Sequence, residues 1–324
     1  MLWLIPLVYS SFILPRVFSE EDSKLLFVHI FRHGDRAPRH LYPKDPNTED
    51  NWSEGLGKLT QLGKKQHFVL GKYLRSRYWD FITTNPIEML VNSSASHRCL
   101  TSAAATMASF YTPEESWKMD DRLNWQPIPI HYLPLYQDKA KFEYVSNYAG
   151  FNIFQGMYAL HLYDTLRIEV YVWFLSSSFS FIGPLLQDID QNMRKKINWD
   201  LPHLKIQMYS AHDINIAAIL LALNFTNMRR PPYCATLLFE LHEMSDASMT
   251  LRLLYLNSTD PLAGMGEPHV LELDDCSEFC PVEDFTKKLL HLMPENWEQE
   301  CQLNILDTCD SDNCEIFRVI QNNK

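Results

Sequence analysis

Residues 31 to 38 read Phe-Arg-His-Gly-Asp-Arg-Ala-Pro, which sets the imidazole of His33 between the guanidiniums of Arg32 and Arg36. Guanidiniums are planar, two-pronged donors that suit a tetrahedral oxyanion, and an imidazole nitrogen held among them can meet its central atom. In a continuing strand Arg32 and His33 point to opposite faces, so sharing one pocket requires the backbone to turn, and Gly34 is expected to permit that turn. The competing reading is a surface loop in which Asp35 pairs with Arg36. A second pair, His212-Asp213, follows Ser210-Ala211. Alone it reads more readily as a helix N-cap, with Asp213 accepting backbone N–H groups ahead of Ile214.

Both sites need elements to hold them. Lys24 to Phe31, KLLFVHIF, is a short apolar run rich in branched and aromatic residues, as in a strand buried on both faces. Its C-terminal edge is where ligands collect in open α/β sheets. Leu59 to Tyr78 has helical periodicity, with Gly63 and Gly71 weakening it. Ile87 to Ser93 reads as a strand and Arg98 to Phe110 as a helix ending before Pro113. The plan repeats with strand Leu204 to Ser210 and helix Ile214 to Leu223. Leu237 to Met244 and Met249 to Asn257 form an antiparallel hairpin, and Pro281 opens an amphipathic helix carrying Phe285, Leu289 and Leu292. Strands alternating with helices predict an α/β fold with a central, largely parallel sheet.

At 324 residues, 46% hydrophobic and 21% charged with only 10 glycines, the chain has the composition of a folded protein large enough for a cleft. Its 29 basic residues against 40 acidic ones give −11, which argues against nucleic acid as a partner. Residues 1 to 19, apolar and ending Val-Phe-Ser before an acidic run, fit a secretory signal cleaved after Ser19, although they lack an early Lys or Arg. Val170 to Leu186 is uncharged but short of a membrane span and contains Gly183-Pro184, so a buried helix is expected.

Seven cysteines, at 99, 234, 276, 280, 301, 309 and 314, point in such a chain to disulfides, with Cys276 and Cys280 close enough to bridge locally. The odd total leaves at least one thiol outside any internal pairing. Asn51, Asn224 and Asn257 are candidate glycosylation sites, whereas a fourth sequon, at Asn92, lies on a strand beside the first motif's pocket. Neither the cysteines nor His29 and His33, which lie on a strand, have metal-ligand spacing, so no metal is expected. Gly55-Leu-Gly-Lys-Leu-Thr60 lacks the spacing of a nucleotide-binding loop.

Taken together, Phe31 to Pro38, Gly55-x-Gly-x-Leu-Thr-x-x-Gly63, Leu70-Gly71-x-x-Leu-Arg-x-Arg-Tyr78 and Ser210-Ala211-His212-Asp213 resemble the histidine acid phosphatase family of prostatic and lysosomal type. Trp125 to Pro129, Pro231-Pro-Tyr233 and Cys276-x3-Cys280-Pro281 extend the likeness over roughly residues 24–135 and 183–302. The resemblance implies the histidine phosphatase, phosphoglycerate mutase-like fold with an α-helical cap. It implies a cofactor-free phosphomonoesterase acting on a small-molecule or protein phosphomonoester. His33 would be the nucleophile, giving a phosphohistidine; Arg32, Arg36 and Arg98 would clamp the phosphate oxygens; His212 would add a hydrogen bond; Asp213 would protonate the leaving alcohol. The physical reading agrees, because phosphoryl transfer relies on positioning and charge neutralisation, and capture on nitrogen splits one hard displacement into two. Capping lowers a carboxyl pKa whereas a bound phosphate raises it, so the protonation state of Asp213 is left open by the sequence.

The family pattern before the third arginine is close to Arg-Ser-Thr-Asp-x-Asp-Arg; here Asn92, Ala95 and His97 depart from it. The insertion after Leu135 is short, and the family cysteine expected there to bridge the one matching Cys301 is absent. The implied organisation is a signal at 1–19 and one domain at 20–324, with core at about 20–135 and 190–302, a shortened helical cap at about 136–189 and a cysteine-containing tail at 303–324. Secretion or the lysosomal lumen is the expected location, with no stable membrane span. Monomer and homodimer both stay open. The rival function is a catalytically weak secreted binding protein that keeps the core; a phytase is disfavoured by the acidic surface.

Overall fold

The computed structural model describes residues 24–133, 167–225, 230–257 and 264–295, with side chains of the helix after 166 described from Ile182. The signal segment, most of the cap, Cys301, Cys309, Cys314 and the tail at 303–324 lie outside the described residues.

Strand β1, Lys24–Arg32, is the axis of the sheet. Leu26, Val28 and Ile30 pack into one core, while Phe27 and Phe31 pack into another, as a period-2 strand buried on both faces requires. The first core is closed by helices α3 (Arg167–Ile197), α4 (Asp213–Ala222) and α5 (Val282–Leu289). The second is closed by α1 (Gln61–Arg77) and α2 (His97–Phe110), so helices cover both faces of the sheet. Gly183 and Pro184 lie within α3 without ending it, and Ile182, Leu185 and Leu186 are buried, the outcome expected of that apolar stretch.

Strands β2 (Met89–Ser93), β3 (Ile130–His131), β4 (Ile206–Ala211), β5 (Thr236–Glu243), β6 (Met249–Leu256) and β7 (His269–Val270) give the order β3-β2-β4-β1-β5-β6-β7, and the two-residue β8, Cys280–Pro281, also pairs with β6. The sheet is mixed. Pairings from β3 through β2 and β4 to β1 are parallel, and those from β1 through β5 and β6 outward are antiparallel, with β5 and β6 joined by the expected tight hairpin.

The glycines of α1 have a tertiary reason. A Cβ at Gly71 would stand 2.2 Å from Ser109 Oγ and 2.3 Å from the Thr106 carbonyl, so α1 and α2 approach closely at Gly71. The bridge Cys276–Cys280 is formed, and Cys99 and Cys234 are buried thiols. Asn51, Asn224 and Asn257 are exposed, compatible with glycosylation, while Asn92 is partly buried in β2. Among the described residues no helix is long and apolar enough to cross a membrane.

Candidate active site

Strand register alone brings the two histidine motifs together. In the parallel pair β1 and β4, Arg32 stands opposite Ala211, so His33 and His212 leave adjacent strands side by side, their ring centroids 5.6 Å apart. On the other flank of β4, Ser93 stands opposite Ser210 and the amide of Ser94 donates to the Ser210 carbonyl. That contact sets the β2–α2 loop at the same edge and delivers Arg98 from the first turn of α2. Arg32, His33 and His212 are each at most 6% exposed and Arg98 is 8% exposed, which excludes the surface-loop reading of the first motif.

Gly34 works differently from the expectation. Its φ is not in the left-handed region; rather, a Cβ there would stand 2.5 Å from the Gly63 carbonyl oxygen. A Cβ at Gly63 would stand 2.1 Å from the Asp35 carbonyl. Both glycines let the loop after β1 lie against the start of α1. The amide of Asp35 donates to Gln66 Oε1, Thr60 Oγ1 donates to the Asp35 carboxylate, and the Arg36 backbone bridges Leu59. The Arg36 guanidinium donates to the Ala37 carbonyl. From beneath, the buried His67 sits 3.2 Å by Nε2 from the Arg32 carbonyl, which can only accept.

His33 Nδ1 lies 2.8 Å from the Gly34 carbonyl and must donate to it, leaving the lone pair on Nε2. Burial, with unfavourable electrostatics against the neighbouring His212 ring and the fixed positive charges of Arg98 and Arg32, holds the pKa of His33 well below its ordinary value. The ring is therefore neutral and its Nε2 nucleophilic. His212 is likewise kept neutral by burial and by Arg98. Arg98 donates to His212 Nδ1 at 3.3 Å, so Nε2 carries the proton and donates to Ser94 Oγ at 3.1 Å. Replacement of family residues at Asn92, Ala95 and His97 has thus left Arg98 in the cluster.

Asp213 is the first residue of α4, and its Oδ1 accepts from the Ile214 amide. Its Oδ2 accepts from Arg230 through Nε at 2.9 Å and a terminal nitrogen at 2.7 Å, and lies 3.2 Å from the Arg32 guanidinium. Burial pushes the carboxyl pKa up, but Arg32 and Arg230 outweigh it and hold the group below the usual aspartate range. The two arginines thus favour the carboxylate form of Asp213, the side of the balance the sequence left open. Arg32 also donates to the Pro231 carbonyl at 2.6 Å and stacks on Tyr233, 4.1 Å from the ring centre. All six expected site residues therefore gather at one edge. Sequence reasoning missed Arg230 and Ser94, and it took Tyr233 only as part of a motif; the sole signal for Arg230 is its place directly before Pro231-Pro-Tyr233. Among the described residues no group of His, Cys, Asp and Glu is arranged to hold a metal.

A strand-end histidine among buried arginines on such a sheet defines a class. The chain matches the model of the histidine phosphatase superfamily, branch 2, over residues 24–155 and 176–256, and it belongs to that family. Lysosomal acid phosphatase of Xenopus laevis is 31% identical over 349 residues, covering 87% of this chain and 80% of that protein. Prostatic acid phosphatase of Mus musculus is 29% identical over 340 residues, covering 84% of this chain and 87% of its own. Among solved structures, the phytase from Citrobacter braakii shares the fold, with a TM-score of 0.58 at 16% identity, over 84% of this chain and 98% of that one.

Proposed function

We propose that the protein is an acid phosphatase that hydrolyses phosphate monoesters through a phosphohistidine on His33. The observation that carries the reading is the fixed tautomer of His33: Nδ1 is committed to the Gly34 carbonyl, so Nε2 presents its lone pair among guanidiniums. Family membership, and relatives named acid phosphatases, support the reaction class.

Arg32, Arg36 and Arg98 neutralise the phosphoryl oxygens, with His212 beside them. His33 Nε2 attacks phosphorus in line, forming N–P as the P–O ester bond breaks. The ester oxygen takes a proton from Asp213, and the alcohol departs. Water then attacks the phosphohistidine, returns a proton to Asp213 and releases phosphate. Charge neutralisation by preorganised guanidiniums is the main source of rate in such a transfer. Acid pH suits the scheme because Asp213 begins as a carboxylate and must be protonated to act. A lysosomal or secreted location is consistent with the names of the relatives and with the exposed sequons.

The test is hydrolysis of an aryl phosphate such as p-nitrophenyl phosphate near pH 5, with His33→Ala reducing turnover to background. Labelled substrate should leave an acid-labile, base-stable phosphoryl group on the wild type. Turnover without that adduct, or equal rates for wild type and variant, overturns the nucleophile. A folded wild type without turnover favours the binding-protein alternative.

A further inference from the structure

Asp213 is held by more charge than phosphate capture removes. Two guanidiniums converge on one of its carboxylate oxygens: Arg32 from the end of β1, itself a phosphate ligand in the reading above, and Arg230 from the segment before β5. Arg32 is 5% exposed at its side chain, whereas Arg230 is 40% exposed and open to solvent. A phosphoryl group entering beside His33 engages Arg32 and so competes with Asp213 for it. Nothing in that event displaces Arg230, which still holds Oδ2 through two donors. A carboxylate so paired is a poor proton donor, because the pair stabilises its charged form. Withdrawing Arg230 requires another anion within its reach, and the reaction places only the leaving alcohol there.

We propose that Arg230 makes proton donation by Asp213 depend on a second anionic group, carboxylate or phosphate, on the leaving alcohol close to the ester oxygen. The inference rests on the phosphatase reading and names its substrate class: monoesters of anionic alcohols. The second anion draws Arg230 off Oδ2, Asp213 takes a proton from solvent, and that proton passes to the ester oxygen as the P–O bond breaks. Arg230 is a positioning residue that acts through Asp213. The other charged groups facing Asp213 are Arg32, His212 at the start of α4, and Arg36 in the loop after β1.

The experiment compares substrates of matched size: glycerol 3-phosphate, whose leaving alcohol is neutral, 3-phosphoglycerate, which adds a carboxylate, and glycerol 1,3-bisphosphate, which adds a phosphate. p-Nitrophenyl phosphate, whose phenolate leaves without a proton, reports the nucleophilic step separately. The wild type is expected to favour at least one of the two esters of anionic alcohols over glycerol 3-phosphate by tenfold or more in kcat/KM, and the better of the two identifies the second anion. Arg230→Gln is expected to raise kcat for glycerol 3-phosphate, to cut that preference to below threefold, and to move the alkaline limb of its kcat–pH profile to higher pH. Arg230→Lys, which keeps charge but loses the two-pronged contact, should fall between. Aryl phosphate turnover together with preference below threefold in the wild type, or wild-type preference in Arg230→Gln, overturns the inference alone. Absence of aryl phosphate turnover overturns the phosphatase reading and the inference together.

Discussion

The tautomers of two histidines decide what the site can do, and each is set by a neighbour that has only one hydrogen-bonding role. A carbonyl can only accept, so Gly34 fixes the proton of His33 on Nδ1; a guanidinium can only donate, so Arg98 fixes that of His212 on Nε2. Ser94 completes the second arrangement by accepting that proton's hydrogen bond. Truncation in Ser94→Ala removes one such bond, worth about 1 kcal/mol, so aryl phosphate kcat should fall on the order of fivefold. Ser94→Thr, which restores the hydroxyl, should recover most of it. If the alanine variant keeps full kcat and its pH profile, Ser94 does not position His212.

The elements meet at glycines. Helix α1 carries two of them in positions where propensity favours almost anything else, and each faces backbone from a neighbouring segment. Replacing Gly71 by alanine gains up to about 1 kcal/mol of helix propensity but overpacks the α1–α2 crossing, a cost of about 1–3 kcal/mol. Net destabilisation is expected, read as a lower urea midpoint at unchanged slope; an alanine variant more stable than wild type would contradict the close crossing. Gly63→Ala acts on the site as well, since its Cβ would overlap the Asp35 carbonyl in the loop that carries His33 and Arg36. Its signature should be a raised KM in folded protein. The match between expected and observed strands and helices was close because each element has a clean local period, whereas the tolerance of α1 for glycine is explained only by what packs against it.

Acid weakens the molecule as a whole, by a sign that can be worked out. His29 and His67 are fully buried, and burial lowers each pKa from 6.5 to about 3. Between those values the unfolded chain binds a proton that the folded one refuses, so stability is full above pH 6.5 and is lost as pH falls toward 3. Each residue contributes a slope of about 1.4 kcal/mol per pH unit within that window. Glu240 adds a lower step. Burial alone would raise its pKa, but hydrogen bonds from His242, Arg77 and Tyr78 outweigh that and hold it at about 2, so its contribution disappears as pH falls from 4.5 toward 2. His29 stacks against Tyr78 and near Phe110, and Glu240 and Arg77 are the charges that face it. His29→Leu should reduce the dependence of unfolding free energy on pH between 6.5 and 4 by about one proton's worth. An unchanged slope in denaturant titrations across that range would show that His29 is not refusing a proton.

Local sequence determined the strand that ends at Arg32, the loop-to-helix transitions after both histidine motifs and the β5–β6 hairpin, and the motif resemblance pointed to the six candidate site residues. These are legible because alternation, helical period and motif spacing are properties of neighbouring residues. Tertiary structure decided the rest: the antiparallel half of the sheet beside β1, the close approach that Gly34 and Gly63 permit, the charge state of Asp213 and the presence of Arg230 and Ser94 in the site. Those depend on partners as far apart as Arg98 and His212, 114 positions along the chain, and are fixed by strand register and by the burial of charge, which no local pattern records.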